Sequence, residues 1–129
     1  MAGTDPALPE SRLVAVAAAR AAAEKQGAEI TVLDVRSLIV ITDYFVIVSG
    51  STSRQVKTIV DAAEEALRGL GVKPLRREGV TEGRWVLLDY VDVVVHVFGE
   101  EERRYYDLER LWKDAERLSW EDGHAASSG

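Results

Sequence analysis

The sequence predicts an α/β fold of the α+β type, in which a mixed β-sheet is flanked by helices. Segments with helical and strand-like spacing follow one another in the order helix, strands, helix, strands, helix. The 129 residues suffice for one domain with a single core. Hydrophobic residues make up 47% of the chain and charged residues 29%. This balance is typical of globular proteins and excludes a wholly disordered or fibrous chain.

One domain is expected over residues 11–121. Residues 1–10, which contain glycine and proline, and residues 122–129, mostly small or polar, are expected to be flexible segments at the two ends. A first helix is predicted over residues 11–26, because this stretch is rich in alanine and is followed by Gly27.

Two short strands are predicted at residues 30–35 and 44–48, where β-branched and aromatic residues dominate. A second helix is predicted to begin after Thr52, because Thr52 and Gln55 have the spacing of a capping box and apolar residues then recur at helical spacing. A further short strand is expected within residues 74–78.

A third helix is predicted over residues 101–118. Acidic residues at 100–102 suit the positive end of a helix dipole. The apolar residues of this stretch have helical spacing: Leu108, Leu111, Trp112, Ala115 and Leu118. Arg103 and Arg104 are interpreted as solvent-exposed partners of the neighbouring acids.

Residues 85–98 predict a β-hairpin. A two-residue turn at Tyr90 and Val91 would place Trp85 opposite His96. One face of the hairpin is then wholly apolar and suited to a core. The other face is the candidate functional surface, with an aromatic side chain among titratable groups: Trp85, Leu87, Asp89, Asp92, Val94, His96 and Phe98. A β-branched residue such as Val91 tolerates the positive φ of such turns poorly, so a longer turn is the alternative.

Each of these candidates also has a structural interpretation. His96 between valines is the pattern of a hydrogen-bonded core histidine, and Trp85 could roof the core. Asp89 and Asp92 are typical turn-capping residues. The functional and structural interpretations both remain open at this point.

Charge and composition exclude several classes of protein. The net charge of −6 disfavours binding to a phosphate backbone, so no sequence-specific contact with nucleic acid is expected. The chain has no cysteine, which excludes disulfides, thiolate zinc sites and a cysteine nucleophile. The first ten residues lack the basic segment of a secretory signal, and the apolar run at 13–19 is too short to span a membrane. A cytoplasmic protein without a membrane partner, metal or cofactor is expected.

One enzymatic alternative comes from Gly50 and Ser51. A Gly-Ser turn between a strand and a helix, followed by acidic residues on a strand, is the layout of metal-dependent nucleotidyltransferases. Two carboxylates at alternate strand positions would share one face and bind magnesium. Asp89 and Asp92 are three positions apart, which breaks that geometry.

Three motifs of the chain stand out together. They are ITDYFVIVSGSTSRQV at residues 41–56, WVLLDYVDVVVHVF at 85–98 and RRYYDLERLWKDA at 103–115. In this order they closely resemble the ribosomal silencing factor family, also called Iojap-like proteins. The resemblance covers about residues 13–115. The common family pattern has glycine after the tyrosine of the second motif, where this chain has Val91.

The resemblance implies a non-enzymatic translational repressor. Members of the family bind large-subunit ribosomal protein fourteen and so hinder joining of the two ribosomal subunits when nutrients are short. The implied fold is similar to that of nucleotidyltransferases without the catalytic motif, and a homodimer and no cofactor are expected. The family tryptophan that corresponds to Trp85 belongs to the binding surface. The argument from the hairpin face extends that surface to Asp89, Asp92, His96 and Phe98.

Overall fold

The structure, a computed structural model, describes residues 10–121. The flexible segments predicted for 1–9 and 122–129 lie outside the described residues. The helices are α1 (Ser11–Glu24), α2 (Ser53–Gly69), α3 (Glu100–Tyr106) and α4 (Leu108–Leu111). The strands are β1 (Ala28–Asp34), β2 (Tyr44–Gly50), β3 (Arg76–Glu78), β4 (Trp85–Asp89), β5 (Val93–Gly99) and β6 (Glu116–Leu118).

The strands form one six-stranded sheet in the order β3-β4-β5-β2-β1-β6. The central strands β2 and β5 are parallel, and all the other neighbours are antiparallel. Parallel neighbours need a crossover connection, and α2 lies in the chain between these two. The predicted mixed sheet flanked by helices is confirmed.

Helices α1 and α2 cover one side of the sheet, which we call the closed face. Alternate strand residues point to this side and are almost completely buried there, together with the apolar stripe of α2. The strand residues are Val32, Tyr44, Val46, Val48, Val86, Leu88, Val93, Val95 and Val97. The apolar face predicted for the hairpin is therefore confirmed as core.

The second helix begins as predicted, with half of the predicted capping box. The Thr52 hydroxyl accepts a hydrogen bond from the backbone N–H of Gln55 at 3.0 Å. The Gln55 side-chain oxygen accepts from the backbone N–H of Ser51 at 2.6 Å. A capping box would have used the N–H of Thr52 instead.

The prediction of one continuous helix over residues 101–118 is wrong. Helix α3 ends at Tyr106, because Asp107 adopts a left-handed conformation with φ of 47°. Aspartate tolerates this conformation better than most residues. After the single turn α4, the chain extends into β6, where Leu118 pairs with Val32 of β1. The predicted stripe is thus dispersed, and Leu111 is 70% exposed.

Candidate functional site

We call the side of the sheet opposite to α1 and α2 the open face. Fewer residues pack against it than against the closed face. Within residues 10–121, the cover of the open face consists of the short helices α3 and α4, the segment 35–42, and Trp112 and Ala115 after α4. The buried cluster on this side is small and consists of Leu33, Val35, Phe45, Ile47 and Phe98. Trp85, Val94 and Trp112 pack around it and keep part of their surface exposed.

The predicted register of the β4–β5 hairpin is wrong by two residues. Trp85 pairs with Phe98, and His96 pairs with Leu87. The turn lies one residue later than predicted: Tyr90 N–H donates to the Val93 carbonyl at 2.8 Å across Val91 and Asp92, and Val91 has φ of 74°. Because the shift is even, each side chain keeps its predicted face.

Trp85 and His96 are joined by a hydrogen bond on the open face. The indole Nε1–H of Trp85 donates to Nδ1 of His96 at 3.2 Å. Since Nδ1 accepts, the neutral imidazole carries its proton on Nε2. Burial lowers the pKa of His96 to about 4, so the ring is neutral at pH 7.

Trp85 lies at the centre of an aromatic cluster. Its ring stacks on Phe98 at 4.9 Å and contacts Tyr106 of α3 at 4.5 Å between centroids. Phe98 is fully buried, so within the single chain it supports Trp85 from beneath and presents no surface of its own. Tyr106 is partly exposed beside Trp85. The sequence analysis missed Tyr106 as a neighbour of Trp85, because their contact depends on where α3 ends.

A groove of about 360 Å³ lies on the open face and includes His96, the hydrogen-bond partner of Trp85. Its rim is apolar and exposed: Ile41 is 81% exposed, Leu75 68% and Val91 51%. His96 and Thr42 are buried side chains that line it, and in each of them one polar atom has no hydrogen-bond partner within the described residues. The full lining consists of Ile39, Ile41, Thr42, Phe45, Leu75, Arg76, Leu87, Asp89, Val91, Val94 and His96.

The two aspartates of the hairpin occupy different positions. Asp89 Oδ1 accepts the backbone N–H of Val91 at 2.8 Å, and its Oδ2 pairs with Arg76 at 3.2 Å. The interpretation of Asp89 as a turn-capping residue is therefore confirmed. Asp92 is exposed and is not part of the groove lining. The structure thus brings Trp85, His96 and Phe98 together, with Asp89 at the groove edge and Asp92 apart.

The geometry gives no support to nucleotide transfer. Both carboxylate oxygens of Asp89 are engaged by protein donors, and the backbone N–H of Ser51, which a bound phosphate would need, donates to Gln55. Across residues 10–121 we find no group of three or more His, Asp or Glu side chains that could hold a metal ion.

Arg103 corrects the sequence-based interpretation of an exposed ion-paired residue. It is 5% exposed and fastens α3 to the sheet. Its guanidinium donates to the Ser49 hydroxyl at 2.8 Å, to the Glu29 carbonyl at 2.6 Å and to Glu109 of α4 at 2.5 Å. Burial opposes ionisation of Glu109, but the hydrogen bonds and charge of Arg103 outweigh it and lower the pKa of this carboxyl.

Local backbone geometry places the Glu29 carbonyl toward Arg103. Glu29 has φ of 52°, and the pairing of β1 with β2 is irregular between Ala28 and Thr31. Such an irregularity redirects the groups it carries. The partners of Arg103 in β1 and β2 lie 54 or more positions away in the sequence, so no local pattern could have revealed them.

These features define a small α+β protein whose sheet has one sealed face and one partly covered face with an exposed apolar groove. Comparison with known proteins gives the family. Residues 8–128 match the family model described as "Ribosomal silencing factor during starvation" (RsfS). The chain belongs to this family, as the three sequence motifs implied.

Individual relatives agree with this assignment. A ribosomal silencing factor RsfS from Bacillus subtilis is 42% identical over 76% of this chain and 83% of its own length. The chloroplastic protein Iojap of Zea mays is 36% identical over 78% of this chain, which spans 44% of that protein. A crystal structure of a Chromobacterium violaceum protein superimposes with a TM-score of 0.79 at 33% identity, over 86% of this chain and 92% of that one. These curated relatives are named as silencing factors or Iojap proteins and not as enzymes.

Over the part of the chain that the structure describes, no helix has both the length and the apolar character needed to cross a bilayer.

Proposed function

We propose that this chain is a cytoplasmic translational repressor that binds the large ribosomal subunit through ribosomal protein fourteen. In this proposal the bound protein sterically blocks joining of the small subunit when nutrients are limiting. Membership of the ribosomal silencing factor family carries the proposal. The mechanism requires no bond to be made or broken, because an occupied surface is enough to prevent docking.

The open face is the surface we assign to this partner. Exposed apolar patches on soluble proteins mark interaction sites, and the exposed apolar residues Ile41, Leu75 and Val91 line a groove that also includes His96, the hydrogen-bond partner of Trp85. Tryptophan is among the residues that most often dominate binding energy at protein interfaces. By contrast, the closed face is buried under α1 and α2.

Charge favours a basic partner. The chain carries a net charge of −6, which attracts a basic protein and repels exposed rRNA. Asp92, at the exposed tip of the hairpin, is placed to steer such a partner without being buried by it. An interface of standard size, about 1,200 to 2,000 Å² in total, suffices for stable binding.

The homodimer expected from the resemblance remains part of the proposal. Tyr105 on α3 is largely exposed next to the partly exposed Tyr106, and exposed aromatic pairs suit self-association. Trp112 packs edge to face on Phe45 at 5.4 Å and belongs to the fold. Light scattering over a concentration series checks this part: dimerisation that weakens in Tyr105→Glu supports it, and a monomer at high concentration contradicts it.

The decisive experiment measures subunit joining and binding together. Purified ribosomal subunits are sedimented with and without the protein, and binding to isolated ribosomal protein fourteen is titrated separately. We expect the joined fraction to fall with added protein. Trp85→Ala should weaken binding by about 2 kcal/mol or more, which is about 30-fold in Kd, because the ring is a central anchor.

Two leucines provide a matched control. Leu75 at the groove rim and Leu13 on α1 are both exposed, on opposite sides of the sheet. Leu75→Ala should weaken binding and Leu13→Ala should not. A joined fraction that stays constant at excess protein would contradict the proposed function. Equal effects of the two leucine variants would contradict only the assignment to the open face.

A further inference from the structure

Two buried polar atoms at the groove have no hydrogen-bond partner within the described residues. They are Nε2 of His96 and the hydroxyl oxygen of Thr42, in side chains that are 6% and 4% exposed. Buried polar groups in folded proteins are nearly always paired, because an unpaired group loses its hydration without compensation. Residues 10–121 hold three buried side chains of this kind, and two of them line the same groove.

The chemistry of the two atoms defines what they can bind. The hydrogen bond from Trp85 to Nδ1 leaves His96 Nε2 as a donor. The Thr42 hydroxyl can donate or accept. The groove therefore offers one fixed donor and one adaptable hydroxyl between apolar walls, and a carbonyl oxygen attached to an apolar group matches this pattern.

The charges of the groove also exclude an ionic occupant. Arg76 and Asp89, the charged residues of the lining, form an ion pair with each other at 3.2 Å. The pair leaves neither charge free for a ligand, so a neutral group fits better than an anion or a metal ion. The rim residues Ile41, Leu75 and Val91 are apolar and exposed, and the lining residue His96 is hydrogen-bonded to Trp85. This favours a segment of the same protein partner over a separate small molecule.

We propose that the groove receives an apolar side chain of the protein partner, and that the adjacent peptide group of that partner hydrogen-bonds with His96 Nε2–H and the Thr42 hydroxyl. This inference rests on the proposed function, because it takes the partner to be the one bound through the open face. It assigns a specificity role to Thr42, which did not belong to the predicted site. It also gives His96 two roles, since Nδ1 orients Trp85 while Nε2 contacts the partner.

Thr42→Val tests the proposal, because valine has nearly the shape of threonine without the hydroxyl. We expect binding to purified large ribosomal subunits to weaken about 10-fold, as for the loss of one neutral hydrogen bond. The melting temperature of the free protein should stay unchanged or rise, since the hydroxyl has no hydrogen-bond partner among residues 10–121. Thr58→Val, on α2 at the other side of the sheet, is the matched control and should leave binding unchanged.

A direct signal comes from ¹⁵N NMR of the His96 ring. On addition of ribosomal protein fourteen, Nε2 should shift and its proton should exchange more slowly. The same change on concentrating the protein alone would overturn the proposal and assign the groove to a second copy of the chain. Unchanged binding of Thr42→Val, or an unchanged His96 signal with bound partner, would also overturn it while the proposed function stands. If the parent protein binds neither large subunits nor ribosomal protein fourteen, both proposals fail together.

Discussion

The two faces of the sheet are built from alternate residues of the same strands, yet they are completed in different ways. The closed face is covered by helices of 14 and 17 residues and is mostly aliphatic, with the Tyr90 hydroxyl as its one buried polar atom without a partner within residues 10–121. The open face is covered by helices of 7 and 4 residues, held by a buried arginine, and includes unpaired polar atoms. The closed face therefore carries the larger buried core, and the open face is the surface that we propose for the partner.

The largest expected effect on stability is at Arg103, which holds the short helices α3 and α4 against the open face. Arg103→Met should lower the free energy of unfolding by about 3 to 5 kcal/mol, because it leaves Glu109 without its charged partner and removes the hydrogen bonds to the Ser49 hydroxyl and the Glu29 carbonyl. Urea denaturation measures this effect. The double variant Arg103→Met with Glu109→Gln should recover part of the loss. A change below 1 kcal/mol in the single variant would show that the short helices are held by packing alone.

Adjacent leucines on β4 test the division between the faces most directly. Leu88 is fully buried on the closed face, and Leu87 is partly exposed in the groove. Leu88→Ala should lower the free energy of unfolding by about 2 to 5 kcal/mol through the cavity it creates, with little effect on binding. Leu87→Ala should cost about 1 kcal/mol or less and should weaken binding to large subunits. Similar stability losses in the two variants would show that the two faces contribute equally to the core.

Lowering the pH should destabilise the fold through His96 on the open face. The folded-state pKa of His96 is lowered to about 4 by burial, from about 6.5 in the unfolded chain. The unfolded state therefore binds a proton first, so the stability from neutral His96 is complete above pH 6.5 and is lost as the pH falls toward 4. Between pH 7 and pH 5 the loss should be about 2 kcal/mol. His96→Asn should flatten this part of the pH profile of urea denaturation. An unchanged profile would show that His96 is accessible to protons in the fold.

The smallest expected effect is at the turn of the hairpin. Val91 has φ of 74°, a conformation that is strained for a β-branched residue. Val91→Gly should raise the free energy of unfolding by about 1 kcal/mol, since relief of strain exceeds the entropy that glycine loses. The same change removes an apolar side chain from the groove rim and should weaken binding. Val40→Gly, in an exposed loop without positive φ, is the control and should give no stabilisation.

Local pattern was sufficient to predict the helices α1 and α2, the principal strands and the face to which each hairpin residue points. Alternation along a strand survives an error in register when the error is even, so Trp85 and His96 were assigned to the correct face although their pairing was wrong. The pairing depended on the loop at Val91, whose conformation the sequence disfavours. The end of α3 and the strand β6 depended on Asp107 and on pairing with β1, which a helical spacing of apolar residues cannot reveal.

The candidate site was predictable only in part, for the same reason. Trp85 and His96 lie on one regular strand pair, and their proximity follows from strand alternation. Thr42, Ile41 and Leu75 come from loops on either side of the groove, and only the folded sheet brings them together. Their exposure or burial is set by long-range packing, and no spacing in the sequence encodes it.

The strand β6 also bears on aggregation through the edge of the sheet. It pairs with the outer edge of β1, and just beyond it the Trp120 indole donates to the Ile30 carbonyl at 3.2 Å. Without these few residues, the backbone donors and acceptors along that margin of the sheet would lack partners and could recruit a strand from another molecule. Strand β6 is itself the edge of the sheet but is only three residues long, and such a short edge limits extension of the sheet by a strand from another molecule.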